Sequence, residues 1–171
     1  MLPFANTITV QATTTNFVEV IHRTEGEYQK DVVLRYFIDG NTIRLEEQLS
    51  PSFTPFHDKL SAHKVMASTF EIHYPEQLVF GIKAGTAKMM LKGIFTKLNI
   101  QLEDGLIELK SPFSSGRIRT NTAHINVTGL QNGVSAKTTK GEISGQNSPK
   151  EQAALLLESK RGNIFINSNR K

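Results

Sequence analysis

The chain has 171 residues, of which 38% are hydrophobic and 21% are charged, with no cysteine and no tryptophan. This length accommodates one domain with a sizeable core, or two small ones. Without cysteine there is no disulfide framework, no thiolate nucleophile and no cysteine-bound zinc. The net charge of +4 is uneven, because residues 1–95 carry 9 basic and 10 acidic side chains and residues 96–171 carry 11 and 6. The basic second half allows contact with anionic polymers or membrane surfaces, but it is equally typical of a solvated domain.

The first 76 residues predict β-strands. Four segments are rich in branched and aromatic side chains: NTITVQAT, FVEVIHR, VVLRYFI and TIRLEEQ. The sequence Asp39-Gly40-Asn41 between the last two segments predicts a tight hairpin turn. A further strand, ASTFEIHYPEQ, ends at Pro75. We interpret residues 1–76 as an antiparallel β-region that covers the open edge of the structure that follows.

Residues 78–168 repeat at intervals of eighteen residues. Four units align without gaps and a fifth aligns after a three-residue insertion: 80–93, 98–111, 116–129, 134–147 and 155–168. One apolar column across the five units is Met89, Ile107, Ile125, Ile143 and Ile164. A second column, two positions on, is Leu91, Leu109, Val127, Gly145 and Ile166. Because Ala136 and Gly145 make the fourth unit the poorest in apolar surface, we predict that it is the least stable.

Apolar residues two apart with polar residues between them are typical of strands that bury one face. Each unit is therefore expected to contain two short strands, as at 98–102 and 105–109. Units that cannot bury an apolar face alone must stack on one another. We predict an all-β fold with a single domain over 1–171, in which 78–168 form a short five-rung parallel β-solenoid and the units stack in chain order.

The run from FEIHYPEQ through GLIEL, AHINV and GEISG to KRGNIFINS resembles the bacterial putative-adhesin family. That family has a strand ending in proline, followed by repeats of alternating apolar residues and glycine. Here Pro75 ends the strand, and Gly105, Gly141 and Gly162 occupy the glycine positions. The resemblance covers about residues 65–168. It implies a short β-solenoid related to autotransporter adhesin heads, without catalytic residues, in the periplasm or at the cell surface.

Two features of the sequence concern the cellular compartment. No apolar run approaches the ~20 residues of a membrane-spanning helix. The first residues, MLPFANTITVQ, lack the basic start and continuous apolar stretch of a signal peptide. We therefore expect either a cytoplasmic protein or, as the resemblance implies, an extracytoplasmic one. Membrane association is expected only through an anchor absent from this sequence.

The expected function is a non-enzymatic, adhesin-like binding module of the bacterial cell envelope, without a cofactor. Its partner is expected to be a cell-surface polysaccharide or protein. One alternative is a scaffold that self-assembles through exposed strand edges. Another is a polysaccharide-acting enzyme, which is disfavoured because the repeats contain only one cluster of acidic residues, Glu103, Asp104 and Glu108.

No catalytic residue is predicted. No metal site is predicted either, because the five histidines lack ligand spacing: His22, His57, His63, His73 and His124.

One row of outward positions carries positive charge. The row is Lys83, Gln101, Arg119, Lys137 and Glu158, with Arg117 beside it. Arg117, Arg119 and Lys137, hereafter the basic ladder, are predicted to bind sulfate, phosphate or uronate groups along a polymer. The alternative is an ordinary solvated face, because outward positions of a strand must be polar. Aromatic residues do not interleave with these cations, so nucleic acid is not expected.

Overall fold

The computed structural model describes residues 1–40, 42–54 and 66–167. Within these ranges the protein is all-β, with no α-helix and one short 3-10 turn. The strands are β1 (Ala5–Thr13), β2 (Glu19–Glu25), β3 (Val32–Asp39), β4 (Thr42–Leu49), β5 (Ala67–Pro75), β6 (Val79–Lys92), β7 (Phe95–Lys110), β8 (Ser114–Thr120), β9 (His124–Thr128), β10 (Val134–Thr138), β11 (Ile143–Gly145), β12 (Leu155–Ser159) and β13 (Ile164–Asn167). Features predicted from the sequence that lie outside the described residues are Asn41, His57, His63 and Ser168. In the part that the structure describes, no helix is long and apolar enough to cross a membrane.

Among the described residues, eleven strands form one mixed sheet, and β3 pairs with β4 in a separate two-stranded sheet. The large sheet contains two runs of parallel strands. The first stack consists of the first half of β6, the first half of β7, β8, β12 and β10, in that spatial order. The second stack consists of β5, β1, the second halves of β6 and β7, β9, β13 and β11. The long strands β6 and β7 therefore belong to both stacks.

The strand register brings the predicted column partners together. Ile100 lies opposite Ile82 and Ile118 in the first stack, and Ile107 lies opposite Met89 in the second. Buried and outward positions alternate along these strands, as a period of two requires. The buried residues of both stacks join one hydrophobic core, which includes the fully buried residues Ile8, Phe70, Met89, Leu91, Ile100, Ile107, Leu109, Ile118, Ile125, Leu157 and Ile164.

The second unit is one sixteen-residue strand, β7, and not the two short strands predicted at 98–102 and 105–109. Gly105, with a φ of 110°, lies between the half that pairs with β8 and the half that pairs with β9. A Cβ at Gly105 would overlap the carbonyl oxygen of Ala87 on the adjacent strand. Backbone angle and available space therefore both require a glycine here.

The order of the units in space differs from their order in the chain. Leu157 of the fifth unit lies opposite Ile118 of the third, and the fourth unit pairs with the other side of the fifth. The predicted stacking of consecutive units is therefore wrong at this point. The fifth unit has leucine and isoleucine where the fourth has Ala136 and Gly145, so an interior fifth unit removes more apolar surface from water. Residues 148–153 supply the chain length for this crossover.

The first strand lies inside the second stack. Ile8 is the parallel partner of Phe70 on one side and of Met89 on the other. In the described residues, antiparallel pairing joins only β2 to β5 and β3 to β4, so the predicted antiparallel N-terminal region is wrong for β1. The physical reason is that Ile8 and Val10 are fully buried and continue the apolar columns of the second stack. A parallel β1 therefore extends the core.

The fourth unit forms one end of both stacks, where a free strand edge would be exposed. The side-chain amide of Asn147 donates to the carbonyl oxygen of Ala136 at 3.1 Å, and its oxygen accepts from the Ala136 backbone N–H at 2.8 Å. The backbone N–H of Ser148 donates to the carbonyl oxygen of Val134 at 2.7 Å. These bonds occupy backbone groups of β10 that could otherwise pair with another chain.

The β3–β4 hairpin is attached to the main sheet through Glu47, whose side chain is fully buried. The carboxylate accepts hydrogen bonds from the Phe4 backbone N–H at 3.1 Å and from the Ser68 hydroxyl, and it lies 3.2 Å from His22 Nε2. A buried carboxylate needs such partners, because without them its desolvation is unfavourable. Toward its tip the hairpin exposes Tyr36, Phe37, Ile38 and Ile43.

Candidate functional site

The basic ladder lies on the outward side of the first stack. Arg117 and Arg119 are on β8, and Lys137 is on β10. Because β12 lies between β8 and β10, Glu158 is the Cα partner of Arg119 on one side and of Lys137 on the other. Arg119 and Lys137 are therefore not adjacent, because the carboxylate of Glu158 stands between them.

Glu158 offsets one of the three positive charges of the basic ladder. Its Oε2 accepts a hydrogen bond from Arg119 Nε at 2.8 Å and lies 3.9 Å from Arg117 Nε. The hydrogen bond from Arg119 is the main cause that holds the pKa of Glu158 below its usual value, with a further contribution from the charge of Arg117. An anionic ligand would compete with this internal partner. Anion binding by the ladder stays a prediction.

A shallow groove of about 280 Å³ lies on the outward side of the second stack. It is lined by Glu108, Lys110, Asn126, Thr128, Phe165 and Asn167. These residues come in pairs from three neighbouring strands, β7, β9 and β13, at positions two apart. The register aligns Glu108, Asn126 and Phe165 in one row across the strands. The parallel sheet thus holds six outward side chains in a regular grid.

The groove combines an exposed aromatic ring with polar groups. Phe165 is 39% exposed, although it is a large apolar side chain. Asn126 Oδ1 is buried and has no hydrogen-bond donor among the described residues. Polar groups buried without a partner are rare in folded proteins. Concave sites with an aromatic surface and a few convergent polar groups are typical of ligand binding.

The charges around the groove are not balanced. The carboxylate of Glu108 lies 3.5 Å from Lys88 Nζ, so this acid already has a cationic partner. Lys110 lies opposite Lys92 in the register, and both are exposed. Neither lysine forms an ion pair within the described part of the chain. The rim of the groove therefore has a positive character.

Other titratable groups are engaged in local contacts. Asp104 accepts a hydrogen bond from the Thr122 hydroxyl at 2.7 Å, which lowers the pKa of this exposed carboxyl. His73 lies 3.0 Å from Glu71, and His124 Nδ1 accepts from the Asn163 backbone N–H at 3.0 Å. The described residues contain no group of three or more His, Cys, Asp or Glu side chains that could hold a metal ion.

The sequence did not reveal the groove. Extending the eighteen-residue alignment places Ser144 next to Asn126, whereas in the structure Phe165 occupies that place and Ser144 lies beyond it. The signal that was available is the aromatic residue itself, which stands in an outward row with Met90, Glu108, Asn126 and Ser144. Its significance depends on the exchange in order of the fourth and fifth units.

Comparisons with known proteins support the fold. No family model matches the chain, and no curated protein matches it. Among solved structures, the chain is similar to a putative cell adhesion protein from Clostridium sporogenes ATCC 15579, with a TM-score of 0.65 and 13% sequence identity. The match covers 98% of this chain and 91% of that one. At this identity the likeness shows a shared fold, without membership of the specific adhesin family that the sequence resembles.

Proposed function

We propose that this protein is a non-enzymatic, adhesin-like binding module of the bacterial cell envelope. In this proposal the two parallel stacks are opposite sides of a short β-solenoid, and the protein works outside the cytoplasm. Its partner is a cell-surface polysaccharide or protein.

The observation that carries the proposal is the structural likeness to the clostridial protein described as a putative cell adhesion protein. It extends over 98% of this chain, so it includes the β3–β4 hairpin as well as the stacks. Function inferred from a fold alone is an argument by analogy. The proposal therefore also relies on surface features of this chain.

The outward faces of the stacks support a binding role. Successive strands of a parallel sheet are ~4.8 Å apart, so equivalent outward side chains form regular rows. Such rows can contact an extended ligand at several points, and the summed contacts give affinity although each is weak. The groove on β7, β9 and β13 adds a local concavity with exposed Phe165.

The test is a binding screen with the full chain. The purified protein is applied to arrayed bacterial and host cell-surface polysaccharides and to immobilised surface proteins, and each array is also examined for cleavage products. We expect saturable binding to at least one ligand without new reducing ends or peptide fragments. Turnover of a bound polysaccharide, or absence of binding to every ligand, would contradict the proposal. Cell fractionation with an antibody against the protein tests its location.

A further inference from the structure

The geometry points to the groove on β7, β9 and β13 as a binding site for an acidic polysaccharide, with sugar rings on Phe165 and anionic groups at Lys92 and Lys110. This inference rests on the proposed binding function and names its ligand class and its site. It moves the anion-binding surface from the basic ladder to the other stack. Three independent features of the groove support it.

The first feature is the exposed ring of Phe165. An aromatic face carries partial negative charge and attracts the slightly positive C–H groups on the face of a pyranose ring. Phe165 occupies an outward position of β13, a strand whose inward residues Ile164 and Ile166 are buried in the core. The ring is therefore held on a rigid element, and 39% of its surface remains open to a ligand.

The second feature is the hydrogen-bonding groups around the ring. Asn126 lines the groove as the Cα partner of Phe165, and its side-chain amide can both donate and accept hydrogen bonds. Thr128 and Asn167 line the same groove in the next row and can both donate and accept hydrogen bonds. This combination fits the hydroxyl-rich edge of a sugar.

The third feature is the charge. Lys92 and Lys110 are Cα partners on neighbouring strands, so two ammonium groups project from adjacent positions of one face. The nearest acid in the groove, Glu108, is paired with Lys88 at 3.5 Å. In the basic ladder, by contrast, Glu158 lies between Arg119 and Lys137. Lys92 and Lys110 are therefore available to a carboxylate or sulfate group of a ligand. In the basic ladder, Arg117 and Arg119 already share the internal carboxylate of Glu158.

The experiment measures binding of acidic oligosaccharides by isothermal titration calorimetry. The probes are hexagalacturonate, its methyl ester as the uncharged equivalent, and a sulfated chondroitin hexasaccharide of similar length. We expect one or both acidic probes to bind. The methyl ester should bind at least about tenfold more weakly than hexagalacturonate, because charged hydrogen bonds are lost. The difference between the two acidic probes shows whether carboxylate or sulfate is preferred.

Matched variants locate the site. Lys92→Gln with Lys110→Gln should weaken binding about tenfold. Phe165→Leu keeps an apolar side chain but removes the aromatic face, and it should weaken binding about fivefold. Arg119→Gln with Lys137→Gln makes the same charge change on the other stack and should leave the Kd within about twofold. Circular dichroism and thermal midpoints confirm that each variant is folded.

The outcomes separate this inference from the proposed function. If only the Arg119→Gln, Lys137→Gln double variant weakens binding of an acidic probe, the groove is not the binding site. The basic ladder would then be the anion-binding surface. Binding of other envelope ligands, with none of the acidic probes, would overturn the inference and leave the binding function intact. Equal affinity for single-stranded oligothymidylate, lost in the same variants, would assign the groove to polyanions in general and also overturn it.

Discussion

The second and fourth units share the same columns but have different surroundings. The second unit lies inside both stacks, and its Ile107 and Leu109 are fully buried. The fourth unit lies at the end, where the equivalent Ile143 is 39% exposed and Gly145 replaces the leucine. All three residues of β11 are exposed. The same position of the repeat therefore stabilises the fold to different extents in different units. The extent depends on whether strands lie on both sides of the unit or on one side only.

This comparison separates sequence position from position in space. The fifth unit lies at the C-terminal end of the repeat, yet Leu157 and Ile164 are fully buried because strands flank them on both sides. The fourth unit precedes it in the chain and is the one left at the end. The predicted low stability of the fourth unit should therefore reflect its poor apolar content and its terminal place together.

The largest expected effect comes from shortening an isoleucine side chain at two positions of the same apolar column, one in the interior and one at the end. Ile125→Ala in the interior should lower the free energy of unfolding by about 2–5 kcal/mol, because it leaves a cavity between covered strands. Ile143→Ala at the end should cost about 1 kcal/mol or less, since much of this side chain already contacts water. Denaturant unfolding measures both. Equal losses would show that the end unit is as well packed as the interior.

Glycine substitutions test the same difference between an interior unit and the end unit. Gly105 and Gly145 both have positive φ, and a Cβ at either would overlap a carbonyl oxygen of the adjacent strand. Gly105→Ala should cost at least about 2 kcal/mol, because a covered strand must distort. Gly145→Ala should cost less, because β11 can separate locally. Hydrogen exchange distinguishes the two, since in the Gly145 variant faster exchange should be confined to the fourth unit.

The edge of the end unit gives a smaller effect. Asn147→Ala removes both hydrogen bonds to Ala136 and should lower stability by about 1 kcal/mol. It also frees backbone groups of β10 for pairing with another chain. Sedimentation velocity should show concentration-dependent self-association in the variant and none in the wild type. Filaments of the wild-type protein would instead favour a self-assembling scaffold over a discrete binding module.

The smallest expected effect is loss of the ion pair between Arg119 of the third unit and Glu158 of the fifth, which are both interior units. The folded pKa of Glu158 is depressed, chiefly by the hydrogen bond from Arg119, so its stabilisation is present above the ordinary value of 4.5. This contribution is lost as pH falls through the depressed folded pKa. Glu158→Gln should cost a few tenths of a kcal/mol near pH 7, because the pair is exposed. The difference from the wild type should vanish at low pH, and a difference that persists there would contradict the ion-pair explanation.

The sequence alone determined the β class, the residues that share each apolar column, and the glycine positions such as Gly105. These follow from local rules: a side-chain period of two, an eighteen-residue spacing, and the backbone freedom of glycine. It also predicted the poor apolar content of the fourth unit, because Ala136 and Gly145 are visible in the alignment. Each of these features depends on which residues lie in one short segment.

Only the tertiary structure decided which strands pair with each other in the sheet. All units present similar apolar columns, so the local pattern accepts several stacking orders, and the total buried area selects among them. Leu157 and Ile164 therefore lie inside, and Ile8 joins the same core from the other end of the chain. The same choice places Phe165 beside Asn126 and Glu158 between Arg119 and Lys137. Contacts between residues far apart in the chain, and not the period, determine both candidate binding surfaces.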